Sequence, residues 1–242
     1  RELQLTSVNG RAVTLPLDLG GFGISRFSFD GFLVQHLRAA GATVKEQSEV
    51  TQVTFNGQGF DVMTEGKHWS ADVVIGAHGK RSRLDTTLNR PFLRKRSPYV
   101  GVKYHIRYDQ PRERISLHNF ENGYCGISQV EDGKSNLCYL VHRDAVKKHH
   151  HIPELEKSVL HRNPYLKEIF TNAEFLFDRP EVINEISFAT KGPLEGHVLM
   201  GGDAAGMITP LCGNGMAMAI HASKLLAEEV GAFCRNEITR DQ

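Results

Sequence analysis

The chain has 242 residues, a formal net charge of +1 and 40% hydrophobic residues, enough for a real core and for one large domain or two small ones. Near-neutral charge gives no electrostatic reason to expect nucleic acid or an acidic membrane surface as partner. No apolar run approaches the ~18 residues of a spanning helix, and Arg1-Glu2-Leu3-Gln4 has no signal-peptide character. Cys125, Cys138, Cys212 and Cys234 are widely spaced with no CxxC pair. They indicate neither a metal site nor a disulfide framework, and free thiols fit a cytoplasmic location.

Residues 1–15 alternate weakly around Asn9-Gly10, a hairpin signal. The glycine-rich link Gly20-Gly21-Phe22-Gly23 follows. Phe29, Phe32, Leu33, Leu37 and Ala40 recur at helical spacing, which predicts a helix capped by Ser28, with Asp30 in its first turn and Gly41 at its end. Val50 to Phe55 and Phe60 to Met63 read as strands around the Asn56-Gly57 turn. The short apolar run from Ala71 to Ala77 suits a strand buried on both faces, as in a parallel sheet.

The texture changes near Ser97. Val100 to Tyr108, Ile115 to Phe120, Tyr124 to Val130 and Leu137 to His142 are closely spaced strands, with Asn122-Gly123 and Asp132-Gly133 as turns. Pro153 opens one short helix, and Asn163-Pro164 opens another as cap and first helical residue. Val182 to Phe188 returns as a strand, His197 to Met200 is the last one, and a long helix begins near Gly213. That helix is apolar and small-sided through Ala222, so it is expected to be buried.

The densest chemistry lies between Gly196 and Ala219. A buried strand ends at Gly201 and an acid, Asp203, follows at its carboxyl end, where open α/β sheets bind ligands. The carboxylate of Asp203 can accept hydrogen bonds from a polyol. Ala204, Ala205 and Gly206 are small enough to let a ligand approach the backbone. Pro210 stands in the next loop, and Gly213-Asn214-Gly215 opens a helix whose free N–H groups favour negative charge.

This segment resembles the Gly-Asp motif of the p-hydroxybenzoate hydroxylase-like flavoproteins, and is most similar to their geranylgeranyl reductase-like group. The family pattern, GDAAG…P…G-x-G and a helix, is matched by Gly202 to Gly206, Pro210, Gly213 and Gly215. Ile24 to Leu33 resembles the family's S-R-x-x-(F/L)-D-x-x-L, which places Arg26 near the cofactor's phosphates, a role suited to a guanidinium beside a helix start. Val74 to Leu84 resembles the G-A-D-G-x-x-S-x-(V/L)-R motif, with His78 where the family has Asp. That Asp is associated with both FAD and NAD(P)H, so direct reduction by a nicotinamide donor stays open. The family begins with a βαβ unit carrying G-x-G-x-x-G. Gly21-Phe22-Gly23 is followed by Arg26, and Gly213-Asn214-Gly215 has Met218 in the third slot, so neither is that fingerprint. The expected unit is read as lying before Arg1.

The resemblance implies an α/β fold: a Rossmann-like FAD-binding domain over residues 1–95 and 190–242, interrupted by an antiparallel substrate domain over residues 96–189. It implies FAD held by Arg26, Gly202, Asp203, Gly206, Pro210, Gly213, Asn214, Gly215 and Met216, with Asp203 at the ribityl chain and Gly213 to Met216 at the ring's electron-accepting edge. The activity implied is redox chemistry on a small-molecule substrate, either double-bond reduction of a lipophilic compound or oxygenation of an aromatic ring. Halogenases of the family carry W-x-W-x-I-P, which the single Trp69 cannot supply. The alternative is a non-catalytic chain that binds a partner or lipid without flavin. No residue is assigned a catalytic role.

Other patterns have simpler readings. Ser128 to Ser135 ends like a P-loop but lacks its first glycine and reads as a turn. His149-His150-His151 reads as a solvated polar run, and Lys80-Arg81-Ser82-Arg83 has a basic helix start as its plain alternative. His105, His118 and His142 read as structural, and Cys212 as a packing residue.

Overall fold

Asn-Gly turns and short β-rich runs dictate a chain of many brief strands. The computed structural model describes residues 1–241, the side chains of Glu185 and Cys212 apart. In chain order the elements are β1 (Glu2–Thr6), β2 (Ala12–Pro16), α1 (Arg26–Ala39), β3 (Val50–Phe55), β4 (Phe60–Thr64), β5 (Lys67–Ala71), β6 (Ile75–Gly76), α2 (Arg83–Thr87), β7 (Tyr99–Arg107), β8 (Arg114–Phe120), β9 (Gly123–Gln129), β10 (Ser135–His142), α3 (Arg143–His149), α4 (Ile152–Ser158), α5 (Pro164–Asn172), β11 (Glu174–Phe175), β12 (Glu181–Ile186), β13 (Leu194–Glu195), β14 (Val198–Met200) and α6 (Gly215–Cys234). The fold is α/β. It comprises two units, Arg1–Val44 with Ser97–Ile186, and Lys45–Arg96 with Ser187 onward.

The first unit is built on one sheet of order β11-β7-β10-β9-β8-β1-β2, with β12 also on β7. Alternate residues of the central strands, including Val102, Ile106, Ile127, Leu137 and Tyr139, are buried with Leu155, Leu160, Leu166 and Ile169 from the helical segments. The expected break near residue 95 falls between Arg96 and Ser97, but residues 1–44, expected in the other unit, group with this sheet. Backbone pairing is the reason, because β1 lies parallel to β8 in the register Leu3↔Ile115 and Leu5↔Leu117.

Helix α1 also starts earlier than its apolar spacing suggests. Its cap is Ser25, whose side chain accepts from the Ser28 N–H, so Ser28 is inside the helix and Asp30 lies beyond the first turn. A distant carboxylate decides this. Glu131 accepts from the Ser25 N–H at 3.0 Å and from the Ser28 hydroxyl at 2.9 Å, the role a capping-box glutamate has within a helix. Hydrogen bonds from Ser25 hold the Glu131 carboxyl down at about 2. Gly41, at φ +84°, follows the helix end as expected.

A buried polar knot ties β1, β8 and α5. Asn163 caps α5 by accepting from the Tyr165 N–H, and its amide donates to Thr6 Oγ1 at 2.9 Å and to the Asn119 carbonyl at 3.0 Å. Thr6 Oγ1 in turn meets His118 Nδ1 at 2.8 Å. His118 is 2% exposed, and burial pushes its imidazole down to about 4. The folded chain therefore resists the proton that the unfolded chain binds below the ordinary value of about 6.5. Stability should be level above pH 6.5 and fall as pH drops through that value towards 4, by roughly 3 kcal/mol in all. Urea melts between pH 4 and 7 test this against His118→Gln. A variant that loses stability in parallel with the parent would show that His118 is not the titrating group.

The second unit holds the antiparallel meander β3-β4-β5 and a small sheet of order β13-β14-β6. Strands β14 and β6 are parallel, in the register Leu199↔Ile75 and Met200↔Gly76. Phe60, Val198, Met200 and Ala204 form the buried core. The expected strand over Ala71 to Ala77 is divided, because Ala71 pairs with Phe60 in the meander and only Ile75–Gly76 joins β14. Helix α6 has no buried residue, contrary to expectation: Met216, Met218, Ile220 and Leu225 are 37–53% exposed. Its apolar composition marks a face fit for burial, but no described residue covers it. Among the described residues no helix is long and apolar enough to cross a membrane.

Candidate functional site

The parallel strand pair brings two loops to the carboxyl ends of β6 and β14. After β14, Gly202 takes φ +57° and opens a 3₁₀ turn over Gly202–Ala204. The N–H groups of Ala205 and Gly206 return to the Gly202 carbonyl at 2.9 and 3.3 Å. Asp203 is exposed, and among the described residues its carboxylate takes no hydrogen bond. Pro210 opens a second 3₁₀ turn, Pro210–Cys212, and Gly213 at φ +65° reverses the chain into α6. Asn214 precedes α6 without a side-chain cap bond, and no acid lies in the first turn. The leading N–H groups of this helix are thus left for an anionic or polar ligand edge. A side chain added at Gly206, Gly213 or Gly215 would meet nothing within 4 Å, so the loop borders open space.

Behind the loop lies a buried charge cluster that sequence reasoning missed. Arg90, 1% exposed, donates to Asp85 Oδ1 at 2.9 Å, to the Ala204 carbonyl at 2.8 Å and to the Gly192 carbonyl at 3.0 Å. Lys191, 8% exposed, donates to the carbonyls of Lys80 at 2.7 Å and Asp203 at 2.8 Å, and its ammonium lies 4.4 Å from the Phe92 ring centre. Asp85 is fully buried and completes a capping box with Ser82 at the start of α2. Burial pushes its carboxyl up, but hydrogen bonds from the Ser82 N–H, Arg90 and His78 outweigh this and hold it below the usual range. Burial lowers the Lys191 ammonium.

His78 Nε2 lies 3.1 Å from Asp85 Oδ1. An ionised carboxylate only accepts, so Nε2 carries the proton, and His78 Nδ1 is buried without a partner. Asp85 directly follows the stretch Val74 to Leu84, at the position where the pattern ends in Arg. The two departures from that pattern therefore face each other, with acid and base exchanged. That last position was the one available signal for the cluster in the sequence.

Of the residues assigned to the cofactor, Gly202, Asp203, Gly206, Pro210, Gly213, Asn214, Gly215 and Met216 line one continuous loop of the second unit. Arg26 belongs to the first unit, where it begins α1 and pairs with Asp30 through two contacts of 2.9 Å. The side chain of Cys212 lies outside the described residues. The P-loop-like stretch is the β9–β10 turn, and the three histidines join α3 to α4.

A free carboxylate at a parallel-strand end, an open glycine loop and an uncapped helix start suit the polyol and ring edge of a flavin. The fold is that of a Rossmann-like FAD domain with added antiparallel sheet. The chain belongs to the FAD binding domain family, whose model matches residues 24–240, and FAD is the cofactor. It is 26% identical over 243 aligned positions to a digeranylgeranylglycerophospholipid reductase of Methanosarcina acetivorans, covering 93% of this chain and 58% of that protein. The chain thus spans little more than half the length of its curated relatives. Among solved structures, a flavoprotein/dehydrogenase from Cytophaga hutchinsonii matches with a TM-score of 0.77 at 15% identity, over 96% of this chain and 62% of that one. A mutant of the halogenase PltM in complex with FAD matches with a TM-score of 0.79 at 16% identity, over 98% and 53%.

Proposed function

We propose that the protein is an FAD-dependent reductase that saturates a carbon–carbon double bond of a lipophilic small molecule. The observation that carries this is the exposed carboxylate of Asp203, without a hydrogen-bond partner among the described residues, between a buried strand and an open glycine loop. FAD supplies the redox chemistry when bound. Asp203 accepts from the ribityl hydroxyls, Gly206, Gly213 and Gly215 leave the ring room, and the start of α6 at Asn214 to Met216 favours negative charge at its edge. The residues of the second unit serve the cofactor. The reductase activity of the Methanosarcina relatives supports reduction, while the halogenase likeness concerns the fold.

The test starts with the full-length protein, mixed with FAD and desalted. Retained flavin absorbance is expected, and a colourless protein rejects the proposal. Photoreduced anaerobically and mixed with polyprenyl phospholipids, it should reoxidise with saturation of the lipid. Reoxidation only on adding oxygen, with a hydroxylated aromatic product, would identify a monooxygenase instead. Stopped-flow mixing with NADH and NADPH settles what His78 does to the electron donor.

A further inference from the structure

The two cofactor motifs of the second unit are far apart in sequence, and a two-pair register between β6 and β14 is a short ladder to hold their loops in place. Two buried cations add the missing ties. Lys191 bridges the Lys80 carbonyl of the first motif to the Asp203 carbonyl of the second. Arg90 bridges Asp85 of the first to the Ala204 carbonyl of the second. We propose that Lys191 and Arg90 are positioning residues that cross-brace the two motif loops and so fix where the Asp203 carboxylate stands.

Physical chemistry favours this over simple filling of space. A buried ammonium against neutral carbonyls is costly to desolvate, and methionine would fill the same volume without that cost. The loop itself is irregular, with glycines at both ends, so ordering it from within is entropically expensive. A carbonyl gripped from behind fixes its peptide plane, which fixes the direction in which the adjoining side chain leaves. On the Asp203 loop both braces grip backbone carbonyls rather than side chains, so they set geometry while leaving the Asp203 carboxylate unengaged.

This inference rests on the flavin reading of the site, and the experiment separates the two. In the complete protein, Lys191→Met is compared with Lys191→Arg for FAD affinity, bound-flavin spectrum and hydrogen exchange of the residue 202–206 amides without FAD. Lys191→Met should bind FAD about tenfold or more weakly, shift the flavin absorbance, and exchange the Ala205 and Gly206 amides about tenfold faster at unchanged far-UV dichroism. Lys191→Arg should recover most of each effect. Affinity, spectrum and exchange all like the parent's would overturn the proposal. Should the parent bind no FAD, the flavin reading falls and the exchange rates alone decide the brace. Should Lys191→Met not fold, Lys191→Gln is read by the same criteria.

Discussion

Replacing Arg90 with methionine is expected to lower the stability of the protein by about 3–5 kcal/mol, measured by urea melts at neutral pH. The side chain is fully buried, with Asp85 equally buried beside it. Methionine nearly fills the volume but leaves the Asp85 carboxylate without its cation and the carbonyls of Ala204 and Gly192 without a donor. The remaining hydrogen bonds from Ser82 and His78 cannot offset an uncompensated buried charge. The double variant Arg90→Met/Asp85→Leu should regain a large part of the loss, because paired apolar groups avoid that desolvation. A single variant that loses less than about 1 kcal/mol would mean that water reaches the cluster and that its charges are not truly buried.

Asp203→Ala should do the opposite, sparing stability and damaging binding. The carboxylate is exposed and has no hydrogen-bond partner among the described residues, so its removal should change stability by no more than about 0.5 kcal/mol. Hydrogen bonds to a charged acceptor contribute about 1.5–3 kcal/mol, so FAD affinity should fall by about 10- to 100-fold in a flavin-fluorescence titration. Asp203→Asn keeps an acceptor without the charge and should fall between. Unchanged affinity in Asp203→Ala would place the ribityl chain elsewhere.

Much of the fold is legible where local chemistry decides it. Asn122, at φ +66°, sits in a turn that Asn-Gly announces, and Asn163-Pro164 opens α5 as its residues dictate. What escaped depends on distant partners. The start of α1 moves from Ser28 to Ser25 because Glu131, 106 residues away, accepts the Ser25 N–H. Helix α3 was not anticipated because its sequence, Arg143–His149, is mostly charged and lacks an apolar stripe. The run at Ala71–Ala77 looked like one strand because hydrophobicity cannot tell which of two sheets will claim each end. The loop after β14 is readable as a motif, since glycines and an acid in that order are local. The cluster of Asp85, Arg90 and Lys191 is less so: Asp85 and Arg90 are 5 positions apart, but the Ala204 carbonyl that Arg90 grips is 114 positions away, and nothing local announces it.

That remoteness has a kinetic meaning. Arg90 and Ala204 are 114 positions apart, and the whole of β7 to β12 is made between them. The hairpins of the large sheet close short loops and can form early, whereas the parallel pair and its cationic ties must wait for a long loop to close. On the ribosome, β6 emerges well before its partner β14 exists. The loop after β14 is therefore expected to order late, and if it holds FAD as proposed, a ligand that binds only the finished arrangement would pull folding to completion.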